Sequence, residues 1–244
     1  MTTPVAEKNV VYPLLVMTAI TGLIDAVSFL SLGRVFTANM TGNVVMLAFA
    51  TARVPGLSIV RSLTALLSFL VGAIFGGRIM ARADAGSTIR LATQAFLLED
   101  IFLFAASLCA IGYRRELLEH SFQPFALVAL TALAMGTRNA AVRKLAIPDL
   151  TTTVLTLTIT GIAADSSLAK GNNPRLLRRI SSVLAILFGA ASGAVIIHYS
   201  ISAALALAAA ISVVCNAVLF RSMRASDQPS ARLLPRSVPG KLSE

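Results

Sequence analysis

Long apolar runs dominate the chain, and they come in two lengths. Full-length stretches of about 20 residues lie at about 12–33, 57–80, 91–112, 122–142, 177–198 and 200–221. Each is enough for a helix to cross ~30 Å of hydrocarbon at ~1.5 Å per residue. Two shorter pieces, at about 36–52 and 150–165, open on polar residues. Their length and polar starts suit broken or re-entrant segments better than crossings.

The pattern also repeats. Gly22, Asp25, Ala26 and Thr37 return with identical spacing as Gly136, Asn139, Ala140 and Thr151, and Arg61, Leu70, Gly72 and Gly76 return as Arg178, Leu187, Gly189 and Gly193, in both cases about 115 residues later. Repetition inside an apolar chain predicts two homologous membrane-embedded halves. The organisation read from this is an N-terminal segment 1–11, a first repeat 12–112, a connection 113–121, a second repeat 122–221 and a tail 222–244.

Composition agrees, since 56% hydrophobic and 13% charged residues with a mean hydropathy of +0.80 cannot give a 244-residue domain a wettable surface. The bilayer is the expected solvent. Trp is absent, which leaves Tyr12, Tyr113 and Tyr199 as interfacial anchors or ordinary packing residues. The opening MTTPVAEKNV lacks the pattern of a cleavable signal peptide, so the first span is expected to stay. Cys109 and Cys215 each sit in an apolar run without metal or redox spacing and read as small hydrophobes. No metal and no cofactor is expected.

Charge orients the spans. With the N-terminus cytoplasmic and the short pieces not crossing, 16 of the 21 Lys and Arg fall inside, and only Arg34, Arg53, Arg61, Arg114 and Arg115 fall outside. If the short pieces cross, the split weakens to 14 and 7. Equivalent loops also carry opposite bias: Arg34 alone against Arg138, Arg143 and Lys144; Arg53 and Arg61 against the four cations between Lys170 and Arg179; Arg78, Arg82 and Arg90 against none around His198. The expected fold is therefore an all-α polytopic membrane protein with six crossings, arranged as a 3+3 inverted repeat with two short broken or re-entrant segments. Both termini are expected in the cytoplasm. The tail, with Pro229, Pro235, Pro239 and scattered cations, reads as a disordered topology anchor, and the net charge of +10 needs no nucleic acid partner.

Polar groups inside apolar runs are the candidate chemistry. Gly72-x-x-x-Gly76 and Gly189-x-x-x-Gly193 each bare one helix face, and their equivalence predicts that the two glycine-bearing helices pack about a pseudo-two-fold axis. A homodimer seam is the competing explanation. Asp25, deep in the first span, needs a partner or a proton: Arg138 beside its equivalent Asn139 is the expected partner, and proton or cation coupling through Asp25 is the functional alternative. Glu99 and Asp100, about nine residues into the third long span, read as a buried ion pair with an arginine such as Arg78 or as a proton relay. The short pieces open with VFTANMTGN and DLTTTVLTLTIT, which puts Thr37, Asn39, Thr41, Asn43, Thr151, Thr152, Thr153 and Thr156 at membrane depth. Such runs either line a substrate site, together with Asp25, Arg138 and Asn139, or bond their own preceding turns.

GLIDAVSFLSLGRVFTANMTGN, from Gly22 to Asn43, together with GTRNAAVRKLAIPDLTTTVLTLTITG, from Gly136 to Gly161, resembles the YoaK family of bacterial inner-membrane proteins. The resemblance covers nearly the whole chain. It implies a polytopic inner-membrane protein, but no activity, substrate or functional residue, because the family is a domain of unknown function. From the residues, a secondary transporter or permease for a small solute leads. A membrane enzyme lacks support, since His120 and His198 are separated and no nucleophile or metal cluster is evident. A non-transporting scaffold would use the glycine faces as its contact surface.

Overall fold

The computed structural model describes residues 4–82, 88–114, 116, 118, 121–145 and 155–226. Among them are eight α-helices and no strand: α1 Pro4–Ser31, α2 Met40–Thr51, α3 Ile59–Met80, α4 Thr88–Cys109, α5 Gln123–Leu145, α6 Leu155–Ala164, α7 Leu176–Ile196 and α8 Ile201–Ser226. Six are long and apolar enough to cross a membrane: Val11–Ser31 of α1, Ile59–Met80, Arg90–Cys109, Gln123–Leu145, Leu176–Ile196 and Ile201–Arg221. Each falls within a few residues of an apolar run read from the sequence. With 12 and 10 residues, α2 and α6 reach only ~18 and ~15 Å at ~1.5 Å per residue. They are the two short pieces.

The molecule is apolar outside, and its apolar core encloses a set of buried polar groups. Leu67, Leu70 and Ile74 on α3, Ile101 and Phe104 on α4, and Leu184, Leu187 and Phe188 on α7 are exposed, while Glu99, Arg138, Thr137 and Ser212 are buried. A surface of that kind is wetted by lipid chains and would aggregate in water. Helical hydroxyls are satisfied locally: Thr18 Oγ1 donates to the Leu14 carbonyl (2.9 Å) and Thr131 Oγ1 to that of Leu127 (2.7 Å).

One helix crossing is built twice. On α3, a Cβ at Gly72 would collide with the Leu133 carbonyl of α5, and one at Gly76 would lie 2.6 Å from the Thr137 carbonyl. On α7, a Cβ at Gly189 would collide with the Ala19 carbonyl of α1, and one at Gly193 would lie 2.9 Å from the Leu23 carbonyl. The contacts at these glycines are repeat equivalents of one another, as are those of Gly22 against Ile186 and Gly136 against Phe69. The third helix of each half, counting its short one, thus lies on the first helix of the other half. The two glycine-bearing helices α3 and α7 occupy repeat-related seats, α3 on α5 and α7 on α1. Two bare backbones need a flat partner face, and Gly22 and Gly136 provide it.

The halves also match in their loops. Arg53 (φ 60°) and Lys170 (φ 61°) are equivalent, as are Gly56 (φ 79°) and Asn173 (φ 50°), and all four are left-handed. α4 and α8 pack on each other, α4 on α5 and α8 on α1, closing the bundle.

Candidate functional site: a cavity beside the short helices and a buried charge cluster

The chain leaves α1 through a left-handed turn at Gly33 (φ 97°) and Arg34 (φ 56°) and runs back to start α2 at Met40. The N–H groups ahead of a helix have no intrahelical partner. Asp25 supplies one: its Oδ1 accepts from the backbone N–H of Thr37 (3.1 Å) and of Ala38 (2.8 Å). The carboxylate thus ties the loop to the wall of α1. Asn43 closes the same loop from inside α2, its Oδ1 accepting from the Phe36 N–H (2.9 Å) while its Nδ2 donates to the Phe36 carbonyl. The Phe36 ring stacks on Phe29 with centroids 5.0 Å apart.

Asn43 is fully buried, so its removal leaves two backbone groups of Phe36 without partners. Asn43→Ala is expected to destabilise the protein by about 1–3 kcal/mol, the usual penalty for a stranded buried polar group. A thermal unfolding curve in detergent that is unmoved by the substitution would contradict this arrangement.

A cavity of about 710 Å³ opens between α1, the starts of α2 and α6, and α7. Asp25, Asn39 and Thr41 line it on one side and Thr156 on the other. Its walls include three pairs of repeat-equivalent positions: Thr41 with Leu155, Gly42 with Thr156 and Phe69 with Ile186. Residues of both short helices line this one space. Asn39 caps α2 without a side-chain bond to the helix and is exposed, as is Thr41, so both can face a ligand.

A second constellation lies in the core. Arg138 on α5 donates to Glu99 Oε1 from both Nε (2.7 Å) and Nη2, and its Nη1 donates to the Met17 carbonyl (2.9 Å) and to Thr21 Oγ1 (3.3 Å) on α1. On α8, Ser212 Oγ lies 2.6 Å from Asp100 Oδ1 and 3.2 Å from Glu99 Oε1, and Asn216 Nδ2 donates to Asp100 Oδ2 at 2.6 Å. Arg138 is 1% exposed and Glu99 0%, so both charges are out of reach of solvent.

The expected pair of Asp25 and Arg138 does not form. Asp25 bonds the loop before α2, and the arginine paired with Glu99 is Arg138. The reason lies in helix register. Arg138 is the repeat equivalent of Ile24, which is fully buried, and neighbouring helical residues point about 100° apart. Asn139, the true equivalent of Asp25, donates to the Met135 carbonyl of its own helix (2.8 Å).

Of the residues expected to bind a substrate, Asp25, Asn39 and Thr41 meet at the cavity. Thr37 is fully buried and does not line it, Asn43 braces the loop, and Arg138 and Asn139 sit elsewhere. Thr151, Thr152 and Thr153 lie outside the described residues. Thr21, Ser212 and Asn216 are additions that the sequence reading missed. The spacing of Ser212 and Asn216, one turn apart in the apolar eighth helix, was the available signal. Among the described residues, no group of three or more His, Cys, Asp or Glu could hold a metal.

The sequence pattern of a family described as protein of unknown function (DUF1275) matches residues 13–218. The chain belongs to this family. The matched span of this DUF1275 protein contains the cavity and the charge cluster alike. It is similar to the UPF0700 transmembrane protein YoaK of Bacillus subtilis (strain 168), with 36% identity over 165 residues, covering 68% of this chain and 70% of that relative. No solved structure matches.

Proposed function

We propose that the protein is a secondary transporter or permease for a small solute, in the bacterial inner membrane with both termini cytoplasmic, and that its halves are inverted. The observation that carries this is one cavity lined by residues of both short helices, walled by repeat-equivalent positions and flanked by a carboxylate. Paired interruptions at matching places of inverted repeats are where such proteins bind their cargo. Three full-length helices per half, with α2 and α6 too short to cross, give each half an odd number of crossings, which turns the second half over. The opposite charge bias of equivalent loops supports the same orientation.

In this reading α1 with α7 and α5 with α3 form two rigid pairs, and their relative movement opens the cavity to either side. The cavity wall is mostly apolar with a few hydroxyls, amides and one carboxylate, which suits a small amphiphilic or cationic solute. We assign no catalysis to the site. A scaffold that recruits partners through its glycine faces loses support, because α1 and α5 already cover those faces.

Uptake of a panel of labelled small solutes into proteoliposomes tests the proposal, with Thr156→Trp filling the cavity from α6. At least one solute is expected to enter with the parent protein and about tenfold more slowly with Thr156→Trp, a loss worth about 1.4 kcal/mol. Vesicles that stay inert across the panel, or equal rates for both proteins, would count against permeation.

A further inference from the structure

The charge cluster has one carboxylate too many. Two carboxyls, Glu99 and Asp100, face one guanidinium, Arg138, and none of the three reaches solvent freely, with relative exposures of 0%, 7% and 1%. An unmatched ionised carboxylate is costly at membrane depth. Ser212 adds a constraint from hydrogen counting. Its Oγ is within hydrogen-bond distance of both Asp100 Oδ1 (2.6 Å) and Glu99 Oε1 (3.2 Å), yet a hydroxyl has a single hydrogen to donate. Two ionised carboxylates would leave one of these contacts as lone pair against lone pair.

We propose that Asp100 and Glu99, bridged by Ser212, form a binding site for one exchangeable proton, and that this proton is the coupling ion of the transport described above; the second half of the statement rests on that reading. With the proton on Asp100 Oδ1, every donor finds an acceptor. Asp100 donates to Ser212 Oγ, Ser212 donates to Glu99 Oε1, Arg138 saturates the same Glu99 oxygen, and Asn216 Nδ2 donates to Asp100 Oδ2. Net charge falls to zero. Glu99 Oε2 is a buried carboxylate oxygen without a partner, so the cluster keeps a second carboxylate oxygen to which the proton can move.

The neighbours on each packed element fit a proton better than a metal cation. α5 contributes the positive Arg138, which repels a cation from Glu99. α8 contributes Ser212, Asn216 and the thiol of Cys215, α1 contributes the Met17 carbonyl and Thr21 hydroxyl through Arg138, and α3 contributes no hydrogen bond to either carboxyl. The direct 2.6 Å contacts leave no gap between the oxygens for an ion. Loss of the proton takes the cluster from neutral to a single negative charge and leaves Asp100 and Glu99 competing for Arg138. Arg138 also donates to Thr21, which lines the cavity. Occupancy of the proton site is thereby linked to the cavity wall.

Infrared spectroscopy of the purified protein in lipid at neutral pH tests the site without any solute. The parent is expected to show the carbonyl stretch of a protonated carboxylic acid, lost on titration to alkaline pH. Asp100→Asn and Glu99→Gln are each expected to abolish that component, because either substitution balances Arg138 without a proton. Asp25→Asn is expected to leave it in place. An absent acid band in the parent, or a band unchanged in both Asp100→Asn and Glu99→Gln, would overturn the site. So would sodium chloride raising the parent's melting temperature above that in choline chloride with no acid band present. An intact band in an inert protein refutes permeation alone, and active uptake without the band refutes the proton site alone.

Discussion

Gly72→Ala and Gly189→Ala are each expected to lower stability by about 1–3 kcal/mol, the cost of overpacking a close contact, and by similar amounts. Both added methyls meet a backbone carbonyl, that of Leu133 on α5 or of Ala19 on α1. Backbone cannot swing away like a flexible side chain, so α3 must lift off α5, or α7 off α1, along much of the crossing. Gly77 is the internal control. It adjoins Gly76 in α3 but has nothing within 4 Å of where its Cβ would lie. Gly77→Ala is therefore expected to be neutral or stabilising by up to about 1 kcal/mol through helix propensity. Unfolding in a graded detergent or denaturant series separates the three variants. Equal behaviour of Gly72→Ala and Gly77→Ala would show that α3 does not rest on α5.

Arg138→Met is expected to cost more, about 3–5 kcal/mol, because removing one partner of a buried ion pair strands the other charge. Here it strands Glu99 beside Asp100, and among the described residues no other cation bonds either carboxyl. The loss is expected to be largely recovered in Arg138→Met with Glu99→Gln, which removes both charges and keeps most of the volume. A double-mutant cycle on thermal stability measures the coupling. Simple additivity of the two substitutions would contradict the pair. The same cycle between Arg138 and Asp25 is expected to show no coupling, since Asp25 bonds Thr37 and Ala38 instead.

The six long helices and the two short ones were legible because hydrophobicity and length are local properties that lipid reads residue by residue. The repeat was legible for a similar reason, since glycines that admit a close backbone cannot be replaced without cost. What escaped was which helix faces which. Pseudo-symmetry alone permits α3 on α7 or α3 on α5, and the choice is made by Gly22 and Gly136, noticed as repeat markers and not as the flat faces they provide. Asp25 looked like a group in search of a countercharge, whereas the unpaired amides of a broken segment satisfy a carboxylate equally well. Arg138 was recognised as misplaced in lipid, but its partner came from a long-range contact between α4 and α5 that no spacing in the chain announces.

The cavity residues divide along the same line. Asn39 and Thr41 were legible as polar groups at the start of a short apolar helix. Asn43 belonged to the same run, yet it serves the loop, because a side-chain amide buried within reach of a free backbone N–H and carbonyl binds both. Thr21 was silent in the sequence, since a threonine one turn before Asp25 is ordinary in a membrane helix. Its position between the cavity and Arg138 gives it significance.

The proposed inversion of the two halves is the premise shared by the reading of the charge bias and by the permeation proposal, and loop sidedness tests it most directly. Arg53 and Lys170 are repeat equivalents with the same left-handed backbone, in the loops that lead from α2 to α3 and from α6 to α7. In a background with Cys109→Ala and Cys215→Ala, Arg53→Cys and Lys170→Cys can be labelled in intact cells and in inverted vesicles with a membrane-impermeant thiol reagent. Labelling of Arg53→Cys from outside and of Lys170→Cys only from the cytoplasmic side is the result expected of inverted halves. Labelling of both from the same side would contradict it.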